Sequence, residues 1–243
     1  MSTVSVPDSS LHWQPRADTA EWVIGFGGMQ LYHPQPDFEW GHALGALPAN
    51  VLLVRDPAQF WYLHGLPDLA PDLAGTILAL RDRLAERGAG PIICVGASTG
   101  GYAALLFGAL LGAAEVHAFS PMTVIPSRTL LEVAAYARSA NWRLIGKQIA
   151  LRRSPRLAAS FRDLRPILAA DNGRTAYHLY YGRAHTADRR NARRLDGLPR
   201  VTLHPFDDYH HDIVRALRQT GDLSTILTTA LARLSPQGSG IRD

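Results

Sequence analysis

The stretch Pro91-Ile-Ile-Cys94-Val-Gly96-Ala97-Ser98-Thr99-Gly100-Gly101-Tyr102-Ala-Ala-Leu-Leu bears most directly on chemistry. An apolar run ends at Gly96, and a run rich in Ala and Leu begins at Gly100. Between them Gly96-Ala97-Ser98-Thr99-Gly100 spells Gly-x-Ser-x-Gly, the pattern of a strand that turns sharply into a helix with serine at the apex. Glycines are needed at both ends, where a Cβ would strike the neighbouring strand or helix. The serine hydroxyl then stands exposed at the top of a sheet. The free N–H groups and positive dipole end of the following helix face any oxyanion that forms there. Such a serine attacks a carbonyl carbon once a base removes its proton. A tight turn with an incidental serine has the same spacing, so the rest of the chain must supply the partners.

This strand, turn and helix resemble the nucleophile elbow of the α/β-hydrolase superfamily, and the likeness extends over most of the chain. The resemblance implies a chain order of Ser, then Asp or Glu, then His. It also implies a base on a loop just before a terminal helix. The segment Leu203-His204-Pro-Phe-Asp207-Asp208-Tyr209-His210-His211-Asp212-Ile-Val supplies candidates. His211 heads an apolar helical pattern and is the expected base. His210 beside it stays open, and His204, inside a strand, is read as structural. The acid is expected on the loop after the late strand Thr175–Tyr181, where Asp188 would hold the imidazole tautomer and stabilise its cation. Asp188 also suits the first turn of a helix, and Asp196, Asp207 and Asp208 remain alternatives. For the oxyanion, the resemblance implies the N–H of Thr99 and a second donor from Gly25-Phe26-Gly27-Gly28-Met29-Gln30. That loop is similar to the superfamily's His-Gly turn with glycine in place of histidine, which leaves Gly28 and Met29 both open as the donor.

The elements that must position these residues follow from hydrophobic patterning. Short apolar runs at Glu21–Gly25, Val51–Arg55, Pro91–Gly96, Glu115–Phe119, Thr175–Tyr181 and Val201–His204 alternate with helical patterns. The helical patterns are Phe38–Leu47, Pro71–Arg87, Gly100–Leu111, Asp212–Arg218 and Leu223–Leu234. This alternation predicts one α/β domain over residues 1–243, a mostly parallel sheet with helices on both faces. Residues 125–170 break it with helical patches and no strand. An insertion at the carboxyl end of a strand sits over the ligand crevice, so a small helical cap is expected there, a plain pair of packing helices being the alternative. The tail, 235–243, lacks periodicity and is expected to be flexible.

With 47% hydrophobic and 19% charged residues, the 243-residue chain can bury a sizeable core, which excludes long disorder. The first ten residues lack the basic and apolar regions of a secretory signal. No apolar run reaches the roughly 20 residues of a membrane span. Cys94, the only cysteine, permits no internal disulfide and reads as a small apolar filler. A cytoplasmic setting is the expectation. The net charge is +4, and Lys147 is the sole lysine among 25 basic residues. The Arg pairs are not interleaved with aromatics, so no nucleic-acid or membrane partner is expected. Asp-x-Asp metal patterns, Cys-x-x-Cys pairs and phosphate loops are absent from the sequence, and no cofactor or metal is expected. The aromatic run Trp61-Tyr62-Leu63-His64 suits core packing or a substrate pocket. Together these readings imply a serine hydrolase (carboxylesterase or thioesterase) acting on a small-molecule or carrier-bound acyl group through an acyl-enzyme. An acyltransferase using the same residues and a non-catalytic binding protein are the alternatives.

Overall fold

Residues whose side chains alternate between two apolar layers build the centre of the molecule. The computed structural model describes residues 9–29, 38–125, 160–171, 173–207 and 209–234. Its seven strands are β1 (Leu11–Gln14), β2 (Trp22–Phe26), β3 (Asn50–Val54), β4 (Ile92–Ala97), β5 (Glu115–Phe119), β6 (Ala176–Gly182) and β7 (Val201–Phe206). The helices are α1 (Gly41–Gly45), α2 (Leu73–Glu86), α3 (Thr99–Leu111), α4 (Leu164–Ala170), α5 (Thr186–Arg193), α6 (Ile213–Thr220) and α7 (Asp222–Leu234). Ile24, Phe26, Leu52, Val54 and Cys94 face one core with α2, α3 and α4. Val23, Val51, Leu53, Ile93 and Val95 face the other with α1, α6 and α7. This two-residue alternation between covered faces explains why β2 and β3 are buried along their whole length.

The sheet runs in the order β1-β3-β2-β4-β5-β6-β7. All neighbours are parallel except β1, which runs antiparallel along the β3 edge. The six strands expected from the sequence are present within a residue or two at each end. β1 was not expected: four residues beside Pro15, with only Leu11 buried, carry too little pattern to be seen. Having placed β3 on one side of β2, the chain crosses to place β4 on the other. The carboxyl ends of β2 and β4 therefore flank a switch point, where the connecting loops diverge and leave a crevice. The loop Gly27–Met29 and Ser98 both emerge there.

After β5 the chain leaves through Val124 and returns to pair with it at Asp163. Ile125 N–H donates to Arg162 O at 2.8 Å, and Leu164 N–H to Thr123 O at 3.0 Å. Of the stretch 125–170, the described end carries α4, with Leu164 and Leu168 in the core. The expected cap, over 126–159, and the tail, 235–243, lie outside the described residues. Among the described residues no helix is long and apolar enough to cross a membrane.

Candidate active site

Ser98 joins β4 to α3 with φ 53° and ψ −115°. A non-glycine residue adopts a positive φ of this kind only where its surroundings impose it. Here Ser98 N–H donates to Phe119 O at 2.9 Å, and Ser98 O accepts from Tyr102 N–H at 3.1 Å and Met122 N–H at 3.2 Å. The two flanking glycines admit the bend: a Cβ on Gly96 would lie 2.1 Å from Gly100 O, and one on Gly100 would lie 2.2 Å from Phe26 O. Thr99 to Gly108 are all buried, so α3 is wedged against the sheet and cannot back away from the turn.

His211 lies two residues before α6, whose first residue, Ile213, is anchored in the core. Its Nε2 is 3.2 Å from Ser98 Oγ. Its Nδ1 is 2.9 and 3.0 Å from the two carboxylate oxygens of Asp188. Asp188 sits in the first turn of α5, only 3% exposed, where the helix dipole favours its charge. The hydrogen bond from Asp188 raises the His211 pKa above the ordinary 6.5. Partial burial opposes the shift, and the negative charges of Asp188 and Asp212 add to it. Ser98, His211 and Asp188 thus form one hydrogen-bonded row, and the ring that reaches the serine is that of His211. His210 is exposed beside it. His204 lies in β7, with its Nε2 3.1 Å from His178 Nδ1 and its ring stacked on Tyr180. Asp207 pairs with Arg183 at 3.2 Å. Asp208 lies outside the described residues.

The loop after β2 lies against the other side of the elbow. Its three N–H groups all have partners: Gly27 donates to Val54 O at 2.8 Å, Gly28 to Glu39 Oε2 at 2.5 Å and Met29 to Thr99 Oγ1 at 2.6 Å. The last bond ties the loop to the residue that follows the serine. Tyr62 Oη donates to Gly27 O at 2.8 Å and props the loop from below. Gln59, Trp61 and Tyr62 all have positive φ, and Asp56 Oδ2 holds this strained bend by accepting from the N–H groups of Phe60 and Tyr62. A narrow opening, with room for about one water, lies here, bounded by Gly28, Met29, Gln59, Trp61, Tyr62 and Thr99. Trp61 and Tyr62 are packed in the core, the first of the two readings of their aromatic run, and they also border this narrow opening.

Two residues beside the row were not singled out in the sequence. Glu39 keeps an exposed edge, yet loss of solvation around its carboxyl raises its pKa, against the lowering effect of the Gly28 N–H. His185, the N-cap residue of α5, puts Nδ1 2.9 Å from Asp188 Oδ1. The spacing His185-x-x-Asp188 is visible in the sequence and places both on one helix turn. Nothing in the sequence signals the approach of Glu39. A third group, farther off, joins Glu115, His117, His178 and Arg233. Arg233 of α7 forks onto Glu115 at 2.8 and 2.6 Å, and His117 Nε2 lies 3.0 Å from the same carboxylate. Cys94 is fully buried, and desolvation raises its pKa, in keeping with an inert filler.

No protein-family model matches the chain, and a search of curated protein sequences gives no match. Solved structures do match in shape. The capsule O-acetyltransferase of Neisseria meningitidis serogroup A superposes with a TM-score of 0.65 at 12% identity, covering 92% of each chain. Carboxyl esterase 2 from Tuber melanosporum gives a TM-score of 0.62 at 12% identity, over 94% of this chain and 88% of that one. A thermophilic esterase from Thermogutta terrifontis gives 0.54 at 15% identity, over 92% and 93%. This protein has the α/β-hydrolase fold.

Proposed function

We propose that the protein is a serine-dependent enzyme that takes an acyl group from an ester or thioester and passes it to water. The observation that carries this reading is the row Ser98 Oγ, His211 and Asp188, with contacts of 3.2 Å and 2.9 Å. Neutral His211 accepts the hydroxyl proton through Nε2 as Ser98 Oγ attacks the acyl carbon. Asp188 keeps the other ring proton on Nδ1 and stabilises the imidazolium. The Thr99 N–H, at the start of α3, faces the oxygen on which negative charge develops. A second donor comes from Gly28 or Met29, whose N–H groups the oxyanion must win from Glu39 or from Thr99 Oγ1. Protonated His211 then gives its proton to the departing alcohol or thiol. Water, deprotonated by the same imidazole, releases the acyl group and restores Ser98. The acyl donor is a small or carrier-bound ester or thioester whose acyl carbon reaches Ser98 beside the Gly28–Met29 loop.

A second reading keeps every step but the last, with a hydroxyl-bearing acceptor in place of water. The shared fold and matching length of the capsule O-acetyltransferase favour it, because fold alone does not decide which nucleophile accepts the acyl group. Purified protein offered acetyl, butyryl and octanoyl esters and thioesters, with and without sugar alcohols, tests both. Acid release unchanged by acceptor supports the hydrolase. Acylated acceptor formed at the expense of free acid supports the transferase. Release by Ser98→Ala as fast as by the wild type would refute both.

A further inference from the structure

Asp188 is shared by two imidazoles. His185 Nδ1 and His211 Nδ1 each lie 2.9 Å from the same oxygen, Oδ1. The rings are 5.3 Å apart and inclined at 51°. His211 makes a hydrogen bond to the carboxylate; His185 Nδ1, though buried and 2.9 Å from the same oxygen, makes none. A buried ring nitrogen in contact with a carboxylate, yet unbonded, calls for a different partner. The three donor atoms all lie within 4.8 Å of one another.

We propose that His185, Asp188 and His211 form a zinc-binding site, and that zinc bound there inhibits the enzyme. The inhibition rests on the function proposed above; the binding does not. Two imidazoles and one carboxylate are a usual donor set for Zn²⁺, with a water in the fourth position. Tetrahedral coordination at usual bond lengths separates donor atoms by about 3.3 Å. The present contacts reach that spacing by small ring rotations, which the 32% and 48% exposure of the His185 and His211 side chains allows. Zinc on His211 Nδ1 takes the lone pair there and moves the ring proton to Nε2. No proton is gained or lost, but this tautomer presents N–H to Ser98 and cannot accept the hydroxyl proton. The other group of similar donors, Glu115, His117 and His178, is less suited, because the Arg233 fork already neutralises its carboxylate.

The test uses the untagged full chain, with cobalt(II) as a visible-absorbing probe and zinc as competitor. Two variants remove the His185 donor: His185→Asn keeps a good N-cap residue for α5, and His185→Phe keeps an aromatic ring. Circular dichroism confirms that each is folded. The cobalt absorption is expected in the wild type and in His178→Phe, and to be lost or weakened about tenfold or more in both His185 variants. Zinc is expected to suppress acyl release and chelator to restore it, with about tenfold more zinc required in the His185 variants, each relative to its own metal-free rate. Equal zinc affinity of wild type and both His185 variants would overturn the site, as would loss of the cobalt signal in His178→Phe alone. A cobalt signal that depends on His185 in a protein without acyl-releasing activity would uphold the site and refute the inhibition.

Discussion

Ser98 is held in a backbone conformation that costs a side-chain-bearing residue about 1–3 kcal/mol. The serine is thus kept at the apex against its own preference. Ser98→Gly and Ser98→Ala should both lose acyl release by several orders of magnitude. They should differ in stability, with the glycine variant about 1 kcal/mol more stable than the alanine variant in urea unfolding. The imidazole gives a second expectation. The Asp188 hydrogen bond raises the His211 pKa above 6.5, and the base must be neutral to act. The acid limb of kcat/KM should therefore lie above pH 6.5 in the wild type. In Asp188→Asn it should move to lower pH, on a rate reduced about 10⁴-fold. For stability the sign is opposite: this pair contributes fully below the unfolded-state pKa, and its contribution is lost as pH rises through the folded value.

At the scale of elements, the site depends on how closely β6 approaches the loop that carries the imidazole. A Cβ on Gly182 would lie 1.9 Å from Tyr209 O and 2.9 Å from His210 O. Gly182→Ala should therefore displace residues 209–211. Acyl release is expected to fall by at least about tenfold, while far-ultraviolet circular dichroism stays unchanged. Much of this level was legible beforehand. The strand, turn and helix around Ser98 announce themselves because apolar strand, obligate glycines and buried helix all agree. The resemblance implies an acid and then a base after the serine. The two expected residues, Asp188 and His211, lie within hydrogen-bond reach of each other, with His211 also within reach of Ser98. What the sequence could not express is proximity between distant elements. The bond from Gly28 N–H to Glu39 depends on how α1 approaches the β2 loop, and neither segment encodes that alone. β1 was missed because an edge strand of four residues needs no repeating pattern to pair.

Across the whole molecule, the groups on one face of β5, β6 and β7 govern the response to acid. Glu115 is pulled down to about 2: desolvation opposes ionisation, but hydrogen bonds from Arg233 and His117 outweigh it. Burial lowers the pKa of His117 and His204, and burial with the charge of His117 lowers His178 to about 4. All four groups therefore hold fewer protons in the folded state. The stability they confer is present above pH 6.5, falls as the histidines are forced to charge, and is lost for Glu115 between about 4.5 and 2. Thermal unfolding should show Tm declining from pH 6.5 downward. Arg233→Gln should move the acid-unfolding midpoint to higher pH, since Glu115 then loses the guanidinium that holds it ionised. The pairing register that stacks His117 against His178 and Tyr180 against His204 sets this behaviour. It could not be read from three separate strands.

The most direct measurement is covalent capture of the activated hydroxyl. Purified protein is treated with a fluorophosphonate, and the modified peptide is located by mass spectrometry. One adduct per chain on Ser98, formed quickly in the wild type and very slowly in His211→Ala and Asp188→Asn, is the expected result. An unmodified Ser98, or labelling just as fast without His211, would mean that the serine and imidazole 3.2 Å apart are neighbours without a shared task.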